Sequence, residues 1–186
     1  MIIGLTGQLQ SGKDTVADHL VKNYGFEKVG FSDSLYECVG ALFDLDRETI
    51  ERFKVEGVEC YFARSNEWPK ITLTHPITMR QILQRMGTDV VRDIIGKDTW
   101  VRILVQKFID NQMIDYVVRD VRFNNEANAI HQEDWNSEIW RIVRPGYEGD
   151  SHASEAGIDN NYVNMEINND EGLDKLYNAV DEIMEI

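Results

Sequence analysis

The segment MIIGLTGQLQSGKDT, residues 1–15, decides the fold. Its apolar start is typical of a buried strand, and it is followed by the glycine-rich run Gly7-Gln-Leu-Gln-Ser-Gly12-Lys13 and a helical pattern. In such a loop the backbone N–H groups wrap a phosphate, the helix N-terminus adds positive potential, and the lysine reaches the β and γ oxygens of a nucleotide. The sequence therefore predicts a phosphate-binding loop (P-loop) for ATP. The candidate nucleotide-binding residues are Gly7, Ser11, Gly12, Lys13, Asp14 and Thr15.

The motif departs from its usual form directly after the lysine. The Ser or Thr that would ligate Mg²⁺ is replaced by Asp14, and Thr15 comes next. Either Asp14 or Thr15 must then serve the metal. The alternative for Asp14 is a carboxylate that only complements the helix N-terminus, a contribution of about 0.5 kcal/mol.

A second acidic position follows the apolar run at residues 116–118. Asp120 is expected at the carboxyl edge of a sheet strand, where open α/β sheets bind their ligands. It suits a role in the Mg²⁺ shell or in orienting an acceptor phosphate. Arg122 is placed to neutralise charge on a transferring phosphoryl group. The alternative for both residues is a surface ion pair of little energetic value.

Strands and helices alternate along the chain, which predicts an α/β fold with a mostly parallel central sheet covered by helices on both faces. The predicted strands are residues 1–6, 26–31, 115–119, 138–144 and 162–167. The predicted helices are residues 13–23, 35–43, 78–95, 100–111, 124–132 and 171–184. We expect one catalytic domain, residues 1–186, with a short helical insertion and a loop at about 44–75.

Two local expectations concern helices. Ser32, Asp33 and Ser34 supply residues suited to capping the helix at 35–43. The helix at 78–95 has one apolar stripe, with Arg80 and Thr88 beside it. The stripe consists of Met79, Ile82, Leu83, Met86, Val90 and Ile94.

Net charge and composition disfavour some classes of partner. The net charge of the 186 residues is −14, which opposes the basic surface that a DNA or RNA partner requires but permits a small anionic substrate. No run is apolar enough for a membrane span, and Cys38 and Cys60 lack metal or disulfide patterning. We therefore expect a cytoplasmic protein without a nucleic-acid or membrane partner. The oligomeric state stays open, with a homodimer among the options.

Several segments together resemble the deoxynucleoside monophosphate kinases of tailed bacteriophages. They are GQLQSGKDTVA, TMRQILQRMGTDVVRD with its downstream DTW, RDVRFNNEA and HASE. The resemblance covers the chain from residue 1 to about residue 155 and weakens through residues 44–75. It implies a P-loop kinase fold, a helical insertion that binds the acceptor, and transfer of the ATP γ-phosphoryl to a deoxynucleoside 5′-monophosphate with Mg²⁺. The host cytoplasm is the implied setting.

The resemblance also implies roles for individual residues. Arg80 would grip the acceptor monophosphate, since a guanidinium binds phosphate bidentately, with a solvent-exposed helix charge as the alternative. Gly87 and Thr88 would let the acceptor nucleoside approach closely. Trp100 would offer the base a flat face, with core packing as the alternative. The Asp120 and Arg122 pair would serve the transfer, and Glu126 would orient an arginine.

Other assignments stay open at this point. Arg141 and Arg144 fit either lid arginines over ATP or a solvated strand end. His152 and Glu155, in the HASE segment, receive no role. We expect moving parts in the insertion at 44–75 and in a loop at 144–153. The alternative functions are a P-loop kinase of dephospho-coenzyme A or of modified DNA bases, or a regulator that binds nucleotide without chemistry.

Overall fold

The computed structural model describes residues 1–60, 77–132, 135–146 and 157–185. The chain divides into two compact units. The first contains Met1–Phe31 and Val101–Ile186, and the second contains Ser32–Trp100. Much of the predicted insertion and of the predicted 144–153 loop, and both His152 and Glu155, lie outside the described residues.

The elements follow the predicted alternation. The strands are β1 (Ile2–Thr6), β2 (Glu27–Val29), β3 (Glu59–Cys60), β4 (Ile77–Thr78), β5 (Tyr116–Val118), β6 (Ser137–Val143) and β7 (Met165–Asn168). The α-helices are α1 (Lys13–Tyr24), α2 (Asp33–Phe43), α3 (Arg47–Glu56), α4 (Met79–Gln84), α5 (Thr99–Asp110), α6 (Asn124–Ile130) and α7 (Leu173–Met184). A π-helix (Arg85–Ile95) continues α4, and a short 3-10 helix (Asn160–Tyr162) precedes β7 in place of the early part of the predicted strand.

The first unit is built on a parallel sheet. Its strand order is β2-β5-β1-β6-β7, and every neighbouring pair runs parallel. Alternate residues of the strands enter two cores. Ile2, Tyr116 and Ile139 pack with residues of α5 and α6, whereas Ile3, Val117 and Trp140 pack with residues of α1 and α7. The predicted α/β fold with helices on both faces is therefore confirmed.

The second unit has a core of its own. It is formed by buried residues of α2, α3 and α4, with Ile50 fully inaccessible and Met79 nearly so. The predicted capping of α2 is confirmed in position but not in its hydrogen bond: Ser32 occupies the N-cap, and its side chain makes no cap hydrogen bond. The helix of the insertion is capped instead, since the Asp46 carboxylate accepts a hydrogen bond from Thr49 N–H at 2.7 Å.

The predicted single helix at 78–95 needs correction. After Gln84 the hydrogen bonding changes to the i→i+5 pattern of a π-helix, as in the bond from Gly96 N–H to Val91 O at 2.8 Å. Each of these hydrogen bonds closes over one more residue than in an α-helix. Later side chains therefore rotate away from the positions that a 3.6-residue period assigns. Val91 is therefore buried, whereas Val90 is 40% and Ile94 is 77% exposed.

A polar cluster joins the first and last helices of the first unit. The His19 imidazole lies 2.6 Å from an Asp181 carboxylate oxygen and stacks on Tyr177 with 4.4 Å between ring centroids. Tyr24 donates its hydroxyl hydrogen to the same carboxylate at 2.8 Å. The hydrogen bonds from His19 and Tyr24 hold the pKa of Asp181 below its ordinary value. The cluster ties α7 to α1, the helix that begins at the P-loop.

No helix in the described ranges has the length and apolar character needed to cross a membrane.

We predict that Asp181→Asn lowers the free energy of unfolding in a pH-dependent way. Because the folded-state pKa of Asp181 is depressed, its carboxylate stabilises the fold above the unfolded-state pKa of about 3.9, and this contribution is lost as pH falls through the folded-state pKa. The difference in unfolding free energy between the parent protein and the variant should therefore shrink as pH falls below about pH 4. Urea unfolding at each pH measures it.

Glu182→Gln is the matched control, because Glu182 lies next to Asp181 on α7 and is exposed. A gap for Asp181→Asn that stays the same down to pH 3 would contradict the assigned role.

Candidate active site

The P-loop follows β1 in a conformation that its glycines permit. Gly7 and Gly12 have φ values of 139° and 110°, and Gln10 has the positive φ of 62°. A Cβ at Gly7 would lie 2.3 Å from the Ile142 carbonyl oxygen, so no side chain fits there. Gly12 occupies the N-cap of α1, and the helix begins at Lys13 as predicted. The loop therefore sits at the positive end of a helix dipole.

Lys13 folds its side chain back over this loop. The ammonium donates hydrogen bonds to the carbonyl oxygens of Gly7 at 2.7 Å and Gln8 at 2.5 Å, and it lies 3.4 Å from Ser11 Oγ. Asp14, in the first turn of α1, is exposed, and Thr15 is half-buried. The loop thus brings together a cation, a helix N-terminus and three oxygen-bearing side chains.

Asp120 lies just beyond the end of β5, as predicted, and is 9% exposed. Its Oδ1 accepts a hydrogen bond from the Phe31 backbone N–H at 2.8 Å. A Cβ at Gly30 would meet the same oxygen at 2.8 Å, so the carboxylate packs closely against the backbone that follows β2. Asp120 thereby fixes the ends of two neighbouring strands to each other.

Glu126 acts on the backbone of the turn that carries Arg122. It is 4% exposed, and its Oε2 accepts hydrogen bonds from Arg122 N–H at 2.8 Å and Phe123 N–H at 3.1 Å. These are N–H groups at the start of α6 that have no partner within the helix. Glu126 thus sets the path of the backbone at Arg122.

A cavity of about 380 Å³ opens beside the P-loop within the first unit. Gly7 and Gln8 line it on one side, and Arg122, Arg141 and Arg144 contribute positive charge. It lies at the carboxyl ends of β1 and β6, the edge where parallel sheets bind ligands.

The arginines on β6 and just after it differ in environment. The Arg141 guanidinium donates hydrogen bonds to Asn160 Oδ1 at 2.5 Å and to the Ile158 carbonyl at 2.9 Å. It therefore supports the wall of the cavity formed by residues 157–160. Arg144 is exposed.

The remaining predicted residues belong to the second unit. Arg80 is half-buried in α4, and Thr88 is half-buried in the π-helix. Trp100 is 7% exposed and donates its indole N–H to the Gly87 carbonyl at 3.0 Å. A Cβ at Gly87 would lie 2.9 Å from a Leu35 methyl carbon, so this glycine permits close packing against α2. The environment of Trp100 matches the alternative of core packing.

No cluster of three or more His, Cys, Asp or Glu side chains suited to a metal ion occurs in the described ranges. Asp14 and Thr15, in the first turn of α1, and Ser11, in the loop itself, carry side-chain oxygens at the P-loop.

The family model for deoxynucleotide monophosphate kinase matches residues 39–180. The chain belongs to the deoxynucleotide monophosphate kinase family. A protein of Acanthamoeba polyphaga mimivirus is 30% identical over 173 residues, which cover 85% of this chain and 82% of the relative. The deoxynucleotide monophosphate kinase of Enterobacteria phage T4 is 25% identical, and the alignment covers 100% of this chain and 99% of the phage protein.

Among solved structures, an unliganded sugar kinase from Janibacter sp. HTCC2649 matches with a TM-score of 0.50 and 12% identity, covering 100% of this chain and 94% of the other. This likeness supports the kinase fold. The family membership agrees with the resemblance seen in the sequence.

Two asparagines of this kinase contribute to the site and were not predicted. Asn160 accepts from the guanidinium of Arg141, and Asn169 donates its side-chain amide to the Ser11 carbonyl at 2.8 Å. Neither residue belongs to a recognisable motif. The sequence feature that could have indicated Asn169 is its place shortly after a predicted strand, since ligands of parallel sheets bind at the carboxyl ends of the strands.

We predict that Glu126→Ala lowers the free energy of unfolding by about 1–3 kcal/mol, because it leaves the N–H groups of Arg122 and Phe123 without their acceptor. Glu126→Gln should cost less, since the amide oxygen still accepts. Urea unfolding of both variants measures the difference. Asn128→Ala, at an exposed position of the same helix, is the control and should change stability by less than about 0.5 kcal/mol. Equal losses for Glu126→Ala and Asn128→Ala would contradict the assigned contacts.

Proposed function

We propose that the chain transfers the γ-phosphoryl group of ATP, with Mg²⁺, to a deoxynucleoside 5′-monophosphate. An oxygen of the acceptor phosphate attacks the γ phosphorus, the bond to the β-phosphate oxygen breaks, and the products are the deoxynucleoside diphosphate and ADP. Membership of the deoxynucleotide monophosphate kinase family supports the acceptor class. The P-loop supports a nucleoside triphosphate as donor.

The observation that carries the proposal is the arginine-lined cavity at the P-loop. Its lining includes Gly7 and Gln8, whose carbonyl oxygens bind the ammonium of Lys13. Arg122 lines the same cavity. Phosphoryl transfer develops negative charge on oxygens around the migrating phosphorus, and fixed cations in a partly enclosed cavity stabilise it. A cavity for a neutral ligand would need no such concentration of positive charge.

Roles follow for the residues of the first unit. Lys13 bridges the β- and γ-phosphate oxygens, and the loop N–H groups bind the β-phosphate. Arg122 stabilises the migrating phosphoryl group, while Glu126 holds the backbone from which Arg122 extends. Arg144, which lines the cavity and is exposed, is the later arginine that we propose acts over ATP.

Asp14, Thr15 and Asp120 are the proposed residues for Mg²⁺. Their oxygens match the preference of this hard cation, and Asp14 and Thr15 bring theirs to the first turn of α1. Bound Mg²⁺ supplies neutralisation of the triphosphate charge. Asp120 also accepts a hydrogen bond from the Phe31 backbone N–H. We therefore propose that it both contributes to the Mg²⁺ shell and holds the backbone after β2 in place.

The second unit supplies the proposed acceptor residues. Arg80 binds the monophosphate, and Thr88 lies on the π-helix beside Gly87. Local π-helical geometry is frequent at functional sites. Trp100 supports the acceptor site through its hydrogen bond to the Gly87 carbonyl, rather than by offering the base an open face.

The alternatives are less well supported. Kinases of dephospho-coenzyme A or of modified DNA bases do not agree with the family match, and the net charge of −14 disfavours a DNA substrate. A coupled assay for ADP formation, with each deoxynucleoside monophosphate in turn, tests the proposal directly. ATP binding without ADP formation in the presence of any of them would favour the non-catalytic regulator.

We predict that Lys13→Ala lowers kcat by at least ~10²-fold, because it removes a cation from the transferring phosphates. The melting temperature should stay close to that of the parent protein, since the side chain extends over the loop. Lys22→Ala, at an exposed position near the end of α1, should keep full activity. Turnover of Lys13→Ala at the rate of Lys22→Ala would rule out the proposed role.

A second prediction separates the roles of two arginines. Arg80→Lys should raise the KM for the deoxynucleotide with a modest loss of kcat, because Arg80 binds the monophosphate alike in the ground and transition states. Arg122→Lys should lower kcat by ~10²-fold or more with KM nearly unchanged. The reason is that Arg122 stabilises the negative charge that develops on the migrating phosphoryl group in the transition state. Lysine keeps the charge and loses the planar fork, so each defect reports geometry.

Steady-state kinetics at saturating MgATP measure both variants, with Arg85→Lys at an exposed position of the π-helix as control. A KM effect at Arg122 with a kcat effect at Arg80 would reverse the two roles.

A further inference from the structure

The P-loop holds a backbone conformation that needs outside support. Gln10 has a positive φ of 62°, which costs energy for a residue with a side chain. Ser11, which follows it, is 1% exposed, and its N–H donates to the Gln8 carbonyl at 3.2 Å. Contacts beyond the loop are therefore needed to offset the cost at Gln10.

Asn169, which directly follows the edge strand β7, supplies such a contact. Its Nδ2 donates a hydrogen bond to the Ser11 carbonyl oxygen at 2.8 Å. A Cβ at Gly12 would lie 2.6 Å from the same nitrogen, so the amide packs directly against the Gly12 backbone. Both ends of the Ser11–Gly12 peptide are thus in contact with one side chain.

Asn169 is itself fixed by the sheet. Its backbone N–H donates to the Val143 carbonyl at 2.7 Å, directly after the pairing of Asn168 with Val143 that ends the β6–β7 ladder. The side-chain amide therefore projects from a backbone position that the sheet holds in place, and Asn169 itself is half-buried.

We propose that Asn169 is a positioning residue for phosphate binding. In a trans peptide the C=O and N–H groups point in opposite directions, and the described residues contain no cis peptide. A hydrogen bond that holds the Ser11 carbonyl towards Asn169 therefore aims the Gly12 N–H away from it, into the loop that binds the nucleotide phosphates. This inference rests on the proposed function, since it assumes that the loop binds a nucleotide.

The chemistry of the side chain makes the inference testable. Asn169→Asp keeps the shape but replaces the donor with a carboxylate oxygen, which repels the Ser11 carbonyl. Asn169→Ala removes the donor without adding charge. Asn168→Asp is the matched control, because it adds the same charge one residue earlier at an exposed position.

The experiment measures the Kd of ADP by calorimetry for the full chain and the three variants, together with KM for the deoxynucleotide and the melting temperature. We expect Asn169→Asp to raise the Kd of ADP about tenfold and Asn169→Ala about threefold to tenfold. Asn168→Asp should stay within about twofold, and KM for the deoxynucleotide at saturating ATP should not change.

The outcomes distinguish a failure of the proposed kinase function from a failure of the proposed role of Asn169. Parent protein that binds no ADP overturns the proposed function and this inference with it. Parent protein that binds ADP, with Asn169→Asp and Asn169→Ala binding as well as Asn168→Asp does, overturns the role of Asn169 alone. A loss of melting temperature in both Asn169 variants without a change in ADP affinity assigns Asn169 to stability and also overturns it. If Asn169→Asp does not fold, the Kd of ADP for Asn169→Ala decides.

Discussion

The site depends on the position of β1 at the centre of the parallel sheet. All five of its residues are buried, and its backbone is hydrogen-bonded to β5 on one side and to β6 on the other. A strand held in this way cannot slip by one residue without moving its apolar side chains to the opposite core. The start of the P-loop at Gly7 is therefore fixed by sheet register. The same register brings the turn at Val121 beside it, since Val121 N–H donates to the Leu5 carbonyl at 3.0 Å.

Features specified by neighbouring residues could be predicted from the sequence. The P-loop, its helix and the left-handed end of that helix at Gly25 arise from local glycine and apolar patterns. Asp120 could be placed because an apolar strand ends just before it. The π-helix could not be predicted, since apolar spacing was read with a 3.6-residue period and nothing in a single sequence marks the change to i→i+5 bonding.

The partners of the site residues were harder to predict than the residues themselves. Glu126 could be linked to Arg122 by proximity, but whether it would bind the guanidinium or the backbone depends on the start of α6 in three dimensions. Trp100 could equally have faced a ligand or the core, and only the position of the Gly87 carbonyl decides between them. Asn169 is far from the P-loop in sequence, so its contact with Ser11 exists only once the sheet has formed.

The parallel sheet also sets the order in which the chain assembles. Ile2 pairs with Tyr116 and Ser137, so β1 must wait for partners that lie beyond the whole of Ser32–Trp100. Closing so long a stretch of chain is entropically costly and slow, whereas the core of the second unit joins residues near one another in sequence. During synthesis the second unit can pack while the P-loop is still unformed. The P-loop can reach its described conformation only after β6 and β7 have docked, because Gly7 packs against Ile142 and Ser11 accepts its hydrogen bond from Asn169.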